Sequence, residues 1–554
     1  MSFTEVPLVA PAEKVFPTLS EAQIERIMAR GRVRTIAAGD ILVEQGDSGV
    51  PFFVLLSGEL EAVRPAELGK RVITLNGRGQ FSGELNTLSG RATMFRIQAA
   101  EPSEVVELRH DAMMALVQGD EEIGEIIMRA FILRRAGLVK GEIGDVVLIG
   151  SAHSAQTWRL KEFLLRNGHP YTYLDLERDT EAEHLMTTFR VDAGDIPVVI
   201  CRAHTPLRNP SNHELAQCLG FNESIDRTHV RDVVVVGAGP AGLAAAVYGA
   251  SEGLDVLVIE TNAPGGQAGS SSKIENYLGF PTGVSGAELA ARAYSQAEKF
   301  GAQLLTDRVV RLDCDRRPYR VYLESGDGIS TRSIIVASGA RYRKPSLENL
   351  TSFEGNGVYY GATSIEAKLC KDEEVIVVGG GNSAGQAAFY LAANGARVYV
   401  LVRSGSLAQS MSRYLSRRIE ETSEIELLTN TELVELLGDD RLRAVRWKNN
   451  QTGAVEKRPI AHVFMMTGAE PNTDWLEGCV ARDTQGFIKA GVDLSVEDLS
   501  LAHWTLARSP YLLETTLPGV FAVGDARSGS MKRVASAVGE GSIAISFVHQ
   551  VLAQ

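Results

Sequence analysis

At 554 residues the chain is too long for a single hydrophobic core, and roughly three or four domains are expected. Its 44% hydrophobic and 23% charged residues are those of an ordinary globular protein. A net charge of −13 excludes a broad nucleic-acid-binding face but leaves room for small anions held by local backbone donors.

The opening MSFTEVPLVAPAEKVF has no basic stretch followed by a long apolar run, so it does not read as a signal peptide. The most apolar segment, Val233 to Ala250, is interrupted by Gly237, Gly239, Pro240 and Gly242. It reads as strand, turn and helix rather than a membrane span. Cys201, Cys218, Cys314, Cys370 and Cys479 form no C-x-x-C pair and no metal-ligand cluster. The expectation is a cytoplasmic protein with reduced, structural thiols, no metal, no membrane and no nucleic acid.

From Arg34 to Leu108, AAGDILVEQGDSGVPFFVLLSGELEAV (37–63) and GQFSGELNTLSGRATMFRIQAA (79–100) alternate short apolar runs with Gly-Asp and Ser-Gly turns. This predicts an antiparallel β-roll, flanked by helices at SEAQIERIMAR and after His110. After Gly144 the period changes: VVLIG, AQTWRLKEFLLRNG, YTYLDLE, EAEHLMTTFR, IPVVICR and NHELAQCLG alternate strand and helix in a small α/β unit.

RDVVVVGAGPAGLAAAVYGASEGLDVLVIE (231–260) carries the strongest signal. A strand runs into Gly237-x-Gly239-x-x-Gly242, with Pro240 and Ala241 inside the turn, and a second strand ends at Glu260. The glycines serve the turn, the approach of a pyrophosphate and helix–sheet packing, and the acid accepts from a ribose hydroxyl. EEVIVVGGGNSAGQAAFYLAANGARVYVLVR (373–403) repeats the pattern with Gly379, Gly381, Asn382, Ser383 and Ala384, but its second strand ends at Arg403. A cation there suits the 2′-phosphate of NADP, with Arg413, or Arg417 and Arg418, assisting. A solvated helix face accounts for at least one of these arginines. Two unlike turns imply FAD at one and a nicotinamide cofactor at the other, NADPH with NADH as the alternative.

Between them, GATSIEAKLC has capping-box spacing at Thr363 and Glu366 and predicts a short helix from about Ser364 to Cys370. A helix start activates a nearby thiol, yet no thiol stands there.

Three resemblances extend this reading. The first segment is similar to the cyclic-nucleotide-binding domain shared by the catabolite activator protein family and cyclic-nucleotide-dependent kinases, over about residues 16–135. That resemblance implies that the Gly83-Glu84-Leu85 turn holds a cyclic phosphate, that Glu84 accepts from the ribose, and that Arg91, followed by Ala92, pairs with the phosphate of cAMP or cGMP. Only five residues, Asn86 to Gly90, separate Leu85 from Arg91, and bulky Met94 and Phe95 follow where the family has small residues. A roll that binds nothing and only packs against its neighbours is the alternative.

The second segment resembles a thioredoxin or glutaredoxin fold, with Pro197 at the family's cis-proline. Ser151-Ala152-His153-Ser154 stands where that family has its C-x-x-C, Ser154 reading as a helix cap and His153 as an exposed turn residue. This unit cannot run disulfide chemistry there and reads as a docking or spacer domain.

Residues 230–554 resemble the low-molecular-weight thioredoxin reductases, through APGGQAGSSSKIENYLGFP (263–281), IIVASGARYRKP (334–345), VFMMTGAEPNT (463–473) and LPGVFAVGDARSGSMKRVASAVGEGSIAI (517–545). The resemblance implies flavin contacts at Gly265, Gly266, Gln267, Asn276, Ala337, Gly339, Gly524, Asp525, Arg533, Val534 and Ala535, and a homodimer. It also sets Gly361 and Ser364 where that family has its redox cysteines.

The expected architecture is α/β and multidomain: a β-roll (1–140), a thioredoxin-like domain without redox cysteines (143–226), and two Rossmann-like three-layer domains. These are an FAD domain in two parts (229–346 and 470–554) and an inserted NAD(P)H domain (347–469). The expected activity passes hydride from NADPH to FAD and on to a small-molecule or redox-protein acceptor not reached through a C-x-x-C. A low-turnover flavin sensor and a true thioredoxin reductase using other cysteines are the alternatives.

Overall fold

The computed structural model describes residues 4–554 except 67–68, 153, 190, 202–204, 223–224, 272, 275, 355, 363, 408–410 and 440, so His153 and Thr363 lie outside the described residues. The first segment forms two antiparallel sheets. One orders Arg32–Ile36, Ser103–Leu108 and Phe52–Ser57; the other orders Ile41–Val43, Arg96–Ala99, Leu60–Ala66 and Gly69–Asn76. Phe52, Phe81 and Phe131 meet in its core at centroid distances of 5.5–6.3 Å, Phe131 edge-on to the other two. Burying each of these rings stabilises the fold by roughly 2–3 kcal/mol. Helix Glu21–Met28 starts from a capping box of Ser20 and Gln23.

The next unit is a four-stranded sheet ordered Thr205–Arg208, Val198–Cys201, Val146–Gly150, Tyr171–Asp175. Val146–Gly150 runs parallel to Tyr171–Asp175 and antiparallel to Val198–Cys201, and the Ile196–Pro197 bond is cis. Helix Ala155–Arg166, capped by Ser154, buries Leu160, Phe163 and Leu164 on its inner face.

Beyond residue 230 the chain builds a seven-stranded sheet around parallel strands Gln303–Thr306, Val256–Glu260, Arg231–Val236 and Gly328–Val336. Val520–Ala522 completes it after the chain has left and returned. The excursion leaves through Ala340–Tyr342 and returns through Ala469–Pro471, which pair antiparallel. Between them lies a five-stranded parallel sheet, ordered Val358–Tyr359, His462–Met465, Glu374–Val378, Arg397–Val402, Ile425–Thr429. Both central strands, VVVV and EVIVV, are buried on both faces, as parallel strands between helices must be.

The expectation of reduced thiols is corrected: Cys201 and Cys218 form one disulfide and Cys314 and Cys479 another, leaving Cys370 as the free cysteine. The second pair lies 165 positions apart in sequence, so no local spacing signals it. No helix among the described residues is long and apolar enough to cross a membrane.

Candidate dinucleotide cleft

The first glycine turn divides its labour as its spacing predicts. Gly237 sits at φ +104°, a conformation few side chains tolerate, and a Cβ there would lie 2.3 Å from the Ala337 carbonyl oxygen. A Cβ on Gly242 would lie 1.8 Å from the Gly237 carbonyl oxygen, so helix Pro240–Ser251 can seat on the turn only without one. Gly239 is different: a Cβ there would meet nothing nearer than the Gly266 Cα at 3.9 Å. The open side of the turn therefore faces space, where a pyrophosphate would meet the backbone N–H groups at the helix start. Glu260 is held in place by backbone donors of neighbouring residues, its carboxylate accepting from the N–H of Ala238 at 2.7 Å and of Asn262 at 3.0 Å.

These residues open onto a cleft of about 1270 Å³. Every residue predicted to contact FAD lines it except Gly242, Gly265 and Ala535. Gly524 and Asp525 reach it from the turn after Val520–Ala522, and Arg533 caps the helix Val534–Leu552 whose positive end meets the cleft. That helix approaches because Gly541 lets it sit on the first one, where a Cβ would be 2.1 Å from the Ala241 carbonyl oxygen. Burial pushes the Asp525 carboxyl above its ordinary range, with Lys532 drawing it the other way. A group carrying hydroxyls and a pyrophosphate fits this donor set, so the cleft suits FAD.

Of the second turn, Asn382 and Ser383 reach the same cleft. Gly379, at φ +141°, would drive a Cβ to 2.2 Å from the Met466 carbonyl oxygen, so the tight turn repeats its twin's design. Ala384 is fully buried behind it, and Gly381 caps helix Asn382–Ala393. The Asn382 side chain accepts from the Ser412 N–H at 2.8 Å, tying the start of helix Arg413–Glu421 to the turn. Arg403 and Arg413 are exposed and have no carboxylate partner among the described residues. Arg417 pairs with Glu421, and Arg418 stacks 4.2 Å over Phe389, which makes these two the structural arginines.

Gly361 also lines the cleft, and a Cβ there would stand 3.8 Å from Ser270. Ser364 opens the helix Ser364–Leu369. Among the described residues lining the cleft there is no cysteine. Cys370, at the far end of that helix, is fully buried, and burial followed by Glu366 and Glu373 pushes its thiol up to about 12. At pH 8 the thiol is therefore almost entirely protonated. Iodoacetamide is expected to leave Cys370 unlabelled in the native protein and to label it after unfolding, read by mass spectrometry.

In the roll the predicted ligand residues are engaged with groups of the protein itself. Gly83 adopts φ +99° and Glu84 caps helix Leu85–Ser89, but the Glu84 carboxylate pairs with Arg135. Ala92 is buried, and Arg91 turns away, its guanidinium 4.3 Å from the Phe221 ring centroid and 5.4 Å from that of Tyr294. Tyr294 bonds to Glu298, whose carboxyl burial pushes up while Arg91 pulls it down. Arg91 thus sits where the roll, the second unit and helix Gly286–Lys299 meet. Inside the roll, Val6, Met94, Phe95 and Leu138 pack together, and a cavity of about 70 Å³ remains, lined by Gly83, Glu84 and Arg134. That is far below the roughly 300–1,000 Å³ of small-molecule sites. Met94 and Phe95 were the visible sequence signal for this filling. The side chains of the second unit that line the large cleft, Trp158, Arg159, Glu162 and Arg166, carried no motif and went unread.

Two dinucleotide turns opening on one cleft, one domain inserted in the other, define a flavin- and nicotinamide-dependent oxidoreductase. Residues 231–541 match the family described as pyridine nucleotide-disulphide oxidoreductase, and residues 33–120 match the cyclic nucleotide-binding domain. The chain is 30% identical to thioredoxin reductase of Streptomyces coelicolor over 313 residues, 56% of this chain and 91% of that one. It is also 30% identical to thioredoxin reductase of Rickettsia felis over 325 residues, 58% of this chain and 97% of that one. Two solved structures superpose on it, thioredoxin reductase of Lactococcus lactis in the FR conformation and that of T. acidophilum, with 28% and 26% identity. Each gives a TM-score of 0.52, covering 58% and 59% of this chain and 99% and 100% of theirs. The chain belongs to the pyridine nucleotide-disulphide oxidoreductase family. It is an NAD(P)H-dependent flavoprotein oxidoreductase related to thioredoxin reductases, with an N-terminal cyclic nucleotide-binding domain.

Proposed function

We propose that the protein oxidises NADPH through FAD held in the cleft and delivers the electrons to an acceptor other than a C-x-x-C disulfide. The absence of any cysteine among the described cleft-lining residues carries this reading. It is supported by the sequence, which has no C-x-x-C, and by burial of the free thiol Cys370. FAD, when bound, supplies the hydride acceptor and passes the electrons on. The protein's residues hold it: Glu260 at the ribose, the Gly239 turn at the pyrophosphate, Asp525 and Arg533 at the ribityl and ring side. Arg403 and Arg413 recognise the 2′-phosphate of NADPH as paired cations. The acceptor is a small molecule such as a quinone or oxygen, or a redox protein, and the working unit is a homodimer. The second unit, thioredoxin-like but without its cysteines, runs no disulfide chemistry of its own.

Anaerobic addition of NADPH, and separately NADH, to the purified yellow protein tests the reading. Rapid bleaching of the flavin band followed by turnover with added quinone supports it. Bleaching without turnover with any acceptor favours the sensor. Turnover of thioredoxin that survives Cys314→Ser and Cys370→Ser sinks the proposed electron route. Arg403→Ala with Arg413→Ala is expected to raise the KM for NADPH about 10- to 100-fold and leave that for NADH unchanged.

Cyclic-nucleotide control would act through Arg91. cAMP or cGMP needs the roll opened and Arg91 drawn inward, which would loosen the Phe221–Tyr294 joint, so effector binding and joint packing oppose each other.

A further inference from the structure

We propose that the second unit is part of the cofactor site: its helix Ala155–Arg166 holds the adenosine half of FAD through Trp158, Arg159 and Arg166. This rests on the reading of the cleft as the FAD site. It concerns residues that lie wholly outside the span, 231–541, that matches the oxidoreductase family.

All three side chains line the same cleft as Glu260 and Asn262. Glu260 marks the ribose end of such a site, because it closes the second strand of the dinucleotide unit. The helix is fastened at that end. The Asn167 side chain donates to the Asn262 carbonyl oxygen at 3.0 Å, and the Asn212 side chain donates to that of Asn262 at 2.8 Å. Arg159 is one step away, donating to the Asn212 side chain at 2.8 Å and to the Pro210 carbonyl oxygen at 2.6 Å. On the far side of the same junction, Asn222 brackets Thr306, accepting from its N–H at 2.9 Å and donating to its carbonyl oxygen at 3.0 Å. Four separate hydrogen bonds thus place this unit around the adenosine end and hold it there.

The wall they present has the chemistry of an adenine nucleotide's complement. Trp158 is locked by its ring N–H, which donates to the Ala152 carbonyl oxygen at 2.8 Å, so a rigid aromatic surface borders the cleft. Rigid aromatic surface of this kind suits a purine ring. Arg159 and Arg166 outnumber the single acid, Glu162, which pairs with Arg166 at 3.1 Å. Arg166 also donates to the Gly266 carbonyl oxygen at 2.8 Å, in the loop that borders the pyrophosphate turn, and its buried Nε has no partner. A net cation at this place favours a pyrophosphate.

Flavin-free full-length protein is titrated with FAD and with FMN, which lacks the adenosine half, and binding is read by flavin fluorescence. Trp158→Ala is expected to raise the FAD dissociation constant about tenfold or more and to leave FMN binding unchanged. Arg166→Ala is expected to raise that for FAD about tenfold or more and to weaken FMN, which keeps one phosphate, much less. Trp158→Phe is expected to retain most of the FAD affinity, which separates loss of a ring from misfolding. A wild-type protein that binds no flavin overturns the reading of the cleft itself. Wild-type binding with variants within twofold of it overturns only the role of the helix. Equal weakening of FAD and FMN also overturns that role, since the adenosine half would then not be what the helix senses.

Discussion

Gly239→Val protein is expected to purify colourless, with the flavin absorbance band absent and circular dichroism unchanged. The valine side chain would enter the one open side of the turn, where a Cβ meets nothing nearer than 3.9 Å. The fold therefore tolerates the substitution while the space for a pyrophosphate is lost. A loss of at least about 3 kcal/mol of binding, or over a hundredfold in affinity, is expected from displacing the phosphates from the backbone donors. Substitution at Gly242 is the informative contrast. There a Cβ stands 1.8 Å from the Gly237 carbonyl oxygen, so Gly242→Val should unseat the helix and lower stability as well as flavin content. If Gly239→Val retained flavin at wild-type stoichiometry, the turn would not be the cofactor's seat.

Removing the Cys314–Cys479 disulfide is expected to lower stability by roughly 5 kcal/mol, because it closes a loop of 165 positions in the unfolded chain. Both residues pack against the core of the seven-stranded domain, and the loop between them contains the entire inserted unit. The bond therefore ties together the two parts of the FAD domain that the insertion separates. Cys201–Cys218 spans 17 positions and is expected to contribute roughly 3 kcal/mol by the same argument. The check is denaturant unfolding of Cys314→Ser and Cys201→Ser against wild type, with and without reductant. A midpoint that does not move when wild type is reduced would sink the idea.

Arg91 and Arg403 show how far sequence reasoning reaches. The dinucleotide pattern points to Arg403 as a phosphate ligand, and the resemblance to cyclic-nucleotide-binding domains points to Arg91. The strand–turn–helix–strand unit sets the position of Arg403, just past its second strand, by backbone geometry alone, and the side chain is exposed and without a carboxylate partner among the described residues. Arg91 follows a turn whose backbone also forms, yet its side chain is claimed by Phe221 and Tyr294. Those partners lie 130 and more positions away, and no local pattern announces them. The same limit hid the cleft-facing side of the helix Ala155–Arg166. Its buried face at Leu160, Phe163 and Leu164 follows from helical period, whereas the use of the other face depends on what another domain brings against it.

The sequence by itself determined the two dinucleotide turns, the acid or cation at the end of each second strand, the roll and its filling residues, and the lack of any C-x-x-C. These are short-range features, because turn geometry, strand alternation and helix caps are set by residues a few positions apart. Only the tertiary structure decided which cysteines pair, that both turns open on one cleft, and that Arg91 joins three units. It alone brought the second unit against the Glu260 end of that cleft. Such features depend on which faces meet once side chains from distant segments compete for the same buried space, and that competition is settled by packing rather than by spacing.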